Sequence, residues 1–327
     1  MVFSHTWAGG GGLRRDLPPS AGARLSGTVH HGAGGHRGRE PDRGTANGAR
    51  VTILYLREPD CRAMEDKPIS QYLSFDRVAE DYDATRFLPE SVREAVVAQI
   101  LAVAGLAPGE WFVDAGTGTG RFALPMARRG VRVLGIDVSR RMMSQILCKT
   151  PPANLLLVQA DLRKLPVRSR CAKAVLVAHV LHLIADWRAV LQECRRVLGA
   201  DGVLFLLYEE GKRFPARERY MALAGERGLL RPVLGARSAE EALDYLQQMG
   251  GVVRRMEHPS LQWQARRTHR EVLKELEKRT YSQMWDIPDD VHRELLAQTL
   301  SDVREQFGSE EAVYIADAAV KLYAVSF

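Results

Sequence analysis

Three regularly spaced glycines follow a short apolar run, and their spacing makes them the feature most able to support chemistry. The run Trp111-Phe-Val-Asp-Ala leads into Gly116, Gly118 and Gly120, with one threonine between each pair of glycines. Glycine lets the backbone turn tightly and lets a ligand approach where a Cβ atom would clash. A helix that follows such a turn offers its N-terminal amides to a ligand. The sequence therefore predicts a strand, turn and helix that bind a nucleotide-like cofactor.

An acidic residue at the end of the next apolar run strengthens this interpretation. Asp137 closes the run Val131-Arg-Val-Leu-Gly-Ile-Asp and lies 21 residues after Gly116. In folds of this kind an acidic side chain there accepts hydrogen bonds from the ribose hydroxyls. We therefore expect Asp137 to hold the ribose of the cofactor.

The glycine spacing also bears on which cofactor is bound. A dinucleotide fingerprint needs a third glycine at the position of Arg121, where close packing of the helix on the strand leaves little room for a long side chain. The pattern Asp-x-Gly-x-Gly-x-Gly, from Asp114 to Gly120, resembles motif I of the class I S-adenosylmethionine-dependent methyltransferases. This resemblance implies that Asp114 lies around the amino acid end of S-adenosylmethionine and that no pyrophosphate is held.

The resemblance continues along the chain in the order of the family. Asp161 and Leu162 match the position where a carboxylate meets the adenine amino group and the next backbone amide reads the ring, although Asp161 alone could also be a helix N-cap. Residues 173–182 resemble the fourth strand with its following motif, which implies that Ala178 lies beside the cofactor. Residues 202–208 resemble the fifth strand.

Residues upstream of the first strand extend the resemblance to small-molecule methyltransferases related to the ubiquinone-biosynthesis group. Phe75 to Arg86 resembles the helix from which, in that group, a tyrosine and an arginine lie over the cofactor, here Tyr82 and Arg86. An exposed helix face is the alternative role for these two residues. Met142 follows Asp137 on a helix and is expected to pack on the adenine.

Two histidines just past the fourth strand are the candidate catalytic residues. A weak hydroxyl or an activated carbon loses a proton as it attacks the methyl group, so such an acceptor needs a general base. We expect His179, and after it His182, to serve as that base, with packing or hydrogen bonding as the alternative. The sequence has no Asn-Pro-Pro-Tyr segment after the fourth strand, which argues against methylation of amino groups on bases or glutamine.

Alternating apolar patterns predict an α/β fold. Short β-branched runs alternate with helical patterns, which indicates a parallel sheet with helices on both faces. The resemblance implies a Rossmann-like, mostly parallel sheet of seven strands with an antiparallel last strand. Between the last two predicted strands, at 251–264 and 318–327, two amphipathic helices form an insertion at about 268–307.

The inserted helices are a candidate cover for the substrate. The strand before them is parallel to the cofactor-binding strands in the family, so the insertion starts on the active-site side. Tyr281 and Trp285 are therefore expected to line the substrate pocket. Packing of these two side chains onto the domain is the alternative.

The first 63 residues differ in composition from the rest of the chain. They are rich in glycine and arginine and have no apolar periodicity, which predicts a disordered basic tail before a methyltransferase domain at 64–327. The tail carries nine arginines against five acidic residues, so most of the net charge of +6 lies there and nucleic acid is not an expected partner. Translation from Met64 is left open.

The remaining composition indicates where the protein acts and whether it binds a membrane or a metal. With 46% hydrophobic residues and no long apolar run, the chain is expected to be cytoplasmic and to have no membrane partner. Its four cysteines are far apart and indicate no metal site. We therefore predict an enzyme that transfers a methyl group from S-adenosylmethionine to a small-molecule acceptor. A noncatalytic protein of the same fold that binds RNA or a partner, and a NAD(P)-dependent oxidoreductase, are the alternatives; the acceptor and the oligomeric state stay open.

Overall fold

A computed structural model of the chain describes residues 2–6, 52–56 and 73–327, and a ten-stranded mixed sheet runs through them with helices on both faces. The strands are β1 (Val2–Thr6), β2 (Thr52–Leu56), β3 (Trp111–Ala115), β4 (Arg132–Asp137), β5 (Leu155–Gln159), β6 (Ala172–Ala178), β7 (Leu198–Gly211), β8 (Val252–Met256), β9 (Gln262–Thr268) and β10 (Val313–Ser326). The helices are α1 (Tyr82–Thr85), α2 (Glu90–Ala104), α3 (Ala123–Arg128), α4 (Arg140–Leu147), α5 (Trp187–Val197), α6 (Pro215–Glu226), α7 (Ala239–Gln248), α8 (His269–Glu277) and α9 (Asp289–Phe307).

The strand order explains where a ligand can bind. The order is β1-β2-β5-β4-β3-β6-β7-β10-β8, with β9 paired to β10, and the pairs from β2 through β7 are parallel. The chain winds outward from β3 through β4 and β5, and then returns to β6 on the other side of β3. Such a reversal opens a crevice at the carboxyl ends of the strands.

Both faces of the central strands are buried, which accounts for their nearly continuous apolar sequences. Phe112 faces one layer with Val133 and Phe205, whereas Val113 faces the other layer with Val175. Helices α2, α3 and α4 contribute to the first layer, and α5 and α7 contribute to the second. The carboxyl ends of β3 to β6 are therefore held rigidly in register.

The expected Rossmann-like fold is confirmed, including the antiparallel last strand. β10 runs antiparallel to β7 through pairs such as Leu322 with Leu207. The strand expected at 251–264 is divided into β8 and β9, because Pro259 has no backbone N–H and stands in a short 3₁₀ turn between them. β10 is long enough to bond both pieces, and it begins at Val313 rather than at 318.

The inserted helices are present and form a third apolar cluster with α6. Local sequence sets their ends: Thr268 and Glu271 form a capping box at the start of α8, and Gly308 ends α9 with a φ of 77°. Leu276 and Leu295 pack against Tyr220 of α6. β9 is parallel to β7, since both are antiparallel to β10, so the insertion does leave the sheet on the side of the carboxyl ends.

The N-terminal segments differ in part from the expected tail. Thr52–Leu56 pairs with β5 in parallel, and Val2–Thr6 pairs with Thr52–Leu56. A β-prone run meeting the unpaired edge of β5 explains why these ten residues are strands. The remainder of the predicted tail, and the first residues of the predicted domain from Met64 to residue 72, lie outside the described residues. Within the described ranges, no helix is long and apolar enough to cross a membrane.

Candidate active site

A cavity of about 640 Å³ lies beyond the carboxyl ends of β3, β4, β5 and β6. Its size suits a small-molecule ligand. The expected site residues that line it are Tyr82, Arg86, Gly116, Gly118, Asp137, Met142, Asp161, Leu162, Ala178, His179, His182 and Tyr281. Three others do not line it, namely Asp114, Gly120 and Trp285.

The glycine turn and the end of β4 form one wall of the cavity. Gly116 and Gly118 have φ angles of 85° and 52°, which favour glycine at both positions. The Asp137 carboxylate accepts hydrogen bonds from the backbone N–H groups of Gly118 and Ser139, at 2.8 Å each. Burial raises the pKa of Asp137 to about 6, although these two N–H donors oppose the rise. Asp137 therefore fixes the turn and also lines the cavity.

Asp114 and Gly120 lie outside the cavity lining. Asp114 is buried at the end of β3 and accepts a hydrogen bond of 3.0 Å from the Thr117 hydroxyl. Burial raises the pKa of its carboxyl to about 7. A Cβ atom at Gly120 would lie 2.9 Å from Cγ1 of Ile146, so this glycine makes room for α4. These two residues shape the turn from outside the lining, and their expected contacts with the cofactor stay predictions.

The end of β5 forms the next part of the wall. Leu162 and Met142 are nearly fully buried and still line the cavity. Asp161 accepts the backbone N–H of Arg163 at 2.9 Å and pairs with the Arg163 guanidinium at 2.6 Å. Any ligand amino group at this carboxylate would share it with Arg163.

Residues from α1 and the insertion cover the opposite side of the cavity. The Arg86 guanidinium lies 4.4 Å above the centre of the Tyr281 ring and donates a hydrogen bond to the carbonyl of Thr280. Tyr82 packs edge-on against Phe75, with ring centres 5.9 Å apart. Tyr281 lines the cavity, as expected, and its hydroxyl donates to Glu275 at 2.9 Å.

Trp285 is the third expected residue that the structure places elsewhere. Its ring centre lies 5.1 Å from that of Phe75, and its indole N–H donates to the carbonyl of Arg279 at 2.8 Å. Both its apolar surface and its single donor are therefore satisfied within the protein. Trp285 packs the insertion against the segment before α1 and does not face the cavity.

A charged cluster surrounds His179 at the ends of β6 and β7. His179 has a φ of 53°, a left-handed conformation that is strained for a residue other than glycine. Its Nε2 lies 3.3 Å from Oε1 of Glu209, which also pairs with Arg121 at 2.5 Å and with Lys212. Burial alone would raise the pKa of Glu209, but His179 and the two cations hold it well below its usual range. Glu209 is therefore a carboxylate at neutral pH.

His182 differs from His179 in its electrostatic environment. Burial, together with the nearby His179 and Arg86, lowers the pKa of His182 to about 4. At neutral pH its ring is uncharged, and a base with so low a pKa takes up a proton weakly. His182 is therefore the weaker candidate for a proton acceptor, and His179, which lies beside Glu209, is the first candidate.

Sequence reasoning missed the charged residues at the end of β7 and just after it. Glu209, Lys212 and Arg217 all line the cavity. The available signal was the run Glu209-Glu210-Gly-Lys212 at the end of a buried apolar strand, where charged groups meet the same sheet edge as Asp137. In the sequence, Arg121 stands out only because it departs from a dinucleotide fingerprint. In the structure, its guanidinium pairs with the Glu209 carboxylate.

Comparison with known proteins agrees with this architecture. Residues 113–206 match the model of a family described as a methyltransferase domain. The chain is 33% identical over 153 residues to a demethylmenaquinone methyltransferase of Thermotoga maritima, an alignment that covers 44% of this chain and 64% of that protein. It is 29% identical over 155 residues to a malonyl-[acyl-carrier protein] O-methyltransferase of Serratia marcescens, covering 47% of this chain and 58% of that protein. The chain thus spans about three fifths of the length of these curated relatives.

Solved structures share the fold. One from Anabaena variabilis, assigned to the methyltransferases of an antibiotic biosynthesis pathway, superposes with a TM-score of 0.52 at 16% identity, covering 73% of this chain and all of that one. This likeness shows that the fold is shared. Residues 113–206 thus resemble a methyltransferase domain, and both curated relatives are named as methyltransferases.

Proposed function

We propose that this protein transfers a methyl group from S-adenosylmethionine to a small-molecule acceptor in the strand-end cavity. The observation that carries the proposal is the convergence of Asp137, Asp161 and His179, from three separate strand ends, on one cavity. The names of the curated relatives, which are methyltransferases, support the same reaction class.

The residues present fit the cofactor. The Asp137 carboxylate lines the cavity and accepts hydrogen bonds from two backbone N–H groups. Its oxygens keep further lone pairs that can accept hydrogen bonds from the ribose hydroxyls. Asp161 and Leu162 would meet the adenine, with Met142 packing against it. Tyr82 and Arg86 would cover the amino acid end. When bound, S-adenosylmethionine supplies a methyl group that its sulfonium already activates.

The chain's own contribution is positioning and proton transfer. The cover holds an acceptor near the methyl group and excludes water, which converts a bimolecular step into an effectively unimolecular one. The Nε2 atom of His179 faces Glu209, so a proton on Nε2 leaves Nδ1 to accept one from the acceptor. We propose that Glu209 positions the ring and offsets the charge that His179 gains.

The other two predicted functions receive less support. Arg121 donates to Glu209 and to the carbonyl of Arg86 at the place where a dinucleotide fold needs glycine, which disfavours the oxidoreductase. A cavity lined by ionisable groups disfavours a noncatalytic protein. We further propose that the protein acts in the cytoplasm and that nucleic acid is not its substrate, because most of its excess positive charge lies in the first 63 residues.

Isothermal titration calorimetry distinguishes these functions. We expect the purified protein to bind S-adenosylhomocysteine, the product of methyl transfer, and to give no binding heat with NADH. Binding of NADH without binding of S-adenosylhomocysteine would overturn the proposed function.

A further inference from the structure

The cavity is divided by charge. The wall at the ends of β4 and β5 carries the acidic residues Asp137 and Asp161. The opposite half carries a group of cations that we call the cationic cover. Its members are Arg86, Arg121, Lys212, Arg217 and Arg267.

Three carboxylates line this half, those of Glu209, Glu210 and Glu275, and each already has a cationic partner; that of Glu210 is Lys321. Glu209 pairs with Arg121 and Lys212 and lies beside His179. Glu275 pairs with Arg267 at 2.6 Å and accepts the Tyr281 hydroxyl. None of the three pairs with the remaining arginines of the cationic cover.

Arg86 and Arg217 are those remaining arginines. Arg86 donates to a backbone carbonyl, and no ion pair to a carboxylate is seen for it within residues 73–327. Arg217 donates to the carbonyl of Lys212, and its nearest carboxylate is the exposed Glu218, 3.6 Å away. Their guanidinium carbons lie 4.4 and 5.6 Å from the centre of the Tyr281 ring, so two cations flank one side chain.

This crowding has an electrostatic cost. Like charges held close in a partly buried place repel one another, since solvent screens them weakly there. The pKa of Lys212 shows the effect: burial, with Arg121 and Arg86 nearby, lowers it in spite of its contact with Glu209. An anion bound between these cations would remove that cost.

The cofactor cannot supply the missing negative charge. Its amino acid end carries one carboxylate and one ammonium, and its sulfonium adds a further positive charge. Binding S-adenosylmethionine therefore makes the cavity more positive. The compensating anion has to come with the methyl acceptor.

We propose that the acceptor carries an anionic group, a carboxylate or a phosphate, which Arg217 binds beside Tyr281. The inference rests on the proposed function and names the class of its substrate. A guanidinium presents paired N–H donors that match the geometry of a carboxylate or a phosphate. Arg86, which also lies against Tyr281, is left to the carboxylate of the cofactor.

The test uses the full chain saturated with S-adenosylhomocysteine, so that the cofactor's place is filled. Benzoate, phenyl phosphate and the neutral benzamide are titrated by calorimetry. We expect at least one anion to bind about tenfold or more tightly than benzamide. Preference for benzoate indicates a carboxylate acceptor, and preference for phenyl phosphate indicates a phosphate acceptor.

Substitutions test whether the cationic cover binds these anions. Arg217→Gln should weaken binding of the preferred anion about tenfold. Arg217→Lys keeps the positive charge but loses the paired N–H donors of the guanidinium, so it should weaken binding less. Arg213→Gln is the matched control, because Arg213 is exposed and does not line the cavity. Unchanged binding of S-adenosylhomocysteine shows that each variant is folded.

The outcomes separate the two proposals. Anions that bind no better than benzamide, or an equal loss in the Arg213 and Arg217 variants, would overturn the anionic acceptor and leave methyl transfer intact. Failure of the wild type to bind S-adenosylhomocysteine would instead refute the proposed function on which this inference rests.

Discussion

Replacing Glu209 by glutamine should destabilise the protein strongly. The Glu209 side chain is 13% exposed, and it contacts Arg121, Lys212 and His179 at once. Arg121 and Lys212 are themselves only 14% and 20% exposed, so the variant leaves two largely buried cations without their carboxylate. Breaking a buried ion pair by removing one partner costs about 3 to 5 kcal/mol. We expect the free energy of unfolding of Glu209→Gln to fall by that amount.

The next residue on the same strand provides the control. Glu210 pairs with Lys321, but its side chain is 45% exposed, and solvent screens such a pair. Glu210→Gln makes the same change of charge and should cost less than about 1 kcal/mol. Urea unfolding of both variants at pH 7 measures the difference.

The pH dependence gives a second check. The folded protein holds the pKa of Glu209 below its ordinary value. The contribution of the carboxylate is therefore fully present above the pKa of an unfolded glutamate, about 4.3, and is lost as the pH falls below it. The gap between wild type and Glu209→Gln should be constant from pH 5 to 8. A Glu209→Gln variant no less stable than Glu210→Gln would refute the electrostatic account of this cluster.

Three further predictions concern other parts of the molecule. The pKa of the buried Asp114 carboxyl is about 7, against an ordinary 3.8, so the folded protein binds this proton more tightly than the unfolded chain does. The free energy of unfolding should therefore fall as the pH rises from about 5.5 to 8. Melting curves of Asp114→Asn over the same range should show a smaller fall. A chain that begins at Met64 should keep the affinity for S-adenosylhomocysteine in calorimetry, because the described lining of the cavity includes no residue of β1 or β2. Tyr281→Phe should lower turnover of an acceptor and leave the melting temperature unchanged. Trp285→Ala should lower the melting temperature. The reverse pattern would assign packing to Tyr281 and the pocket role to Trp285.

The sequence was most informative where a strand ends. Asp137, Asp161 and His179 each follow a buried apolar run, and parallel strands bring their carboxyl ends to one edge, so a shared cavity could be predicted from the order of the runs. The inserted helices could also be predicted, because their apolar periodicity and the capping box at Thr268 are local features.

Properties that depend on neighbours distant in sequence could not be predicted. Glu209 reaches His179 only because β7 lies beside β6, and nothing local in either run specifies that contact. Trp285 packs on Phe75, more than 200 residues away, so its spacing alone did not distinguish a pocket role from a packing role. The burial of Asp114 likewise depends on the helices above it.

One titration tests most directly whether the wall containing Asp137 binds S-adenosylmethionine. S-adenosylhomocysteine is titrated into the wild type, into Asp137→Asn, and into Asp81→Asn, whose carboxylate pairs with Lys278 and does not line the cavity. Loss of a charged acceptor for the ribose hydroxyls should weaken binding about tenfold or more in Asp137→Asn and leave Asp81→Asn like the wild type. Equal affinity in all three proteins would contradict the account.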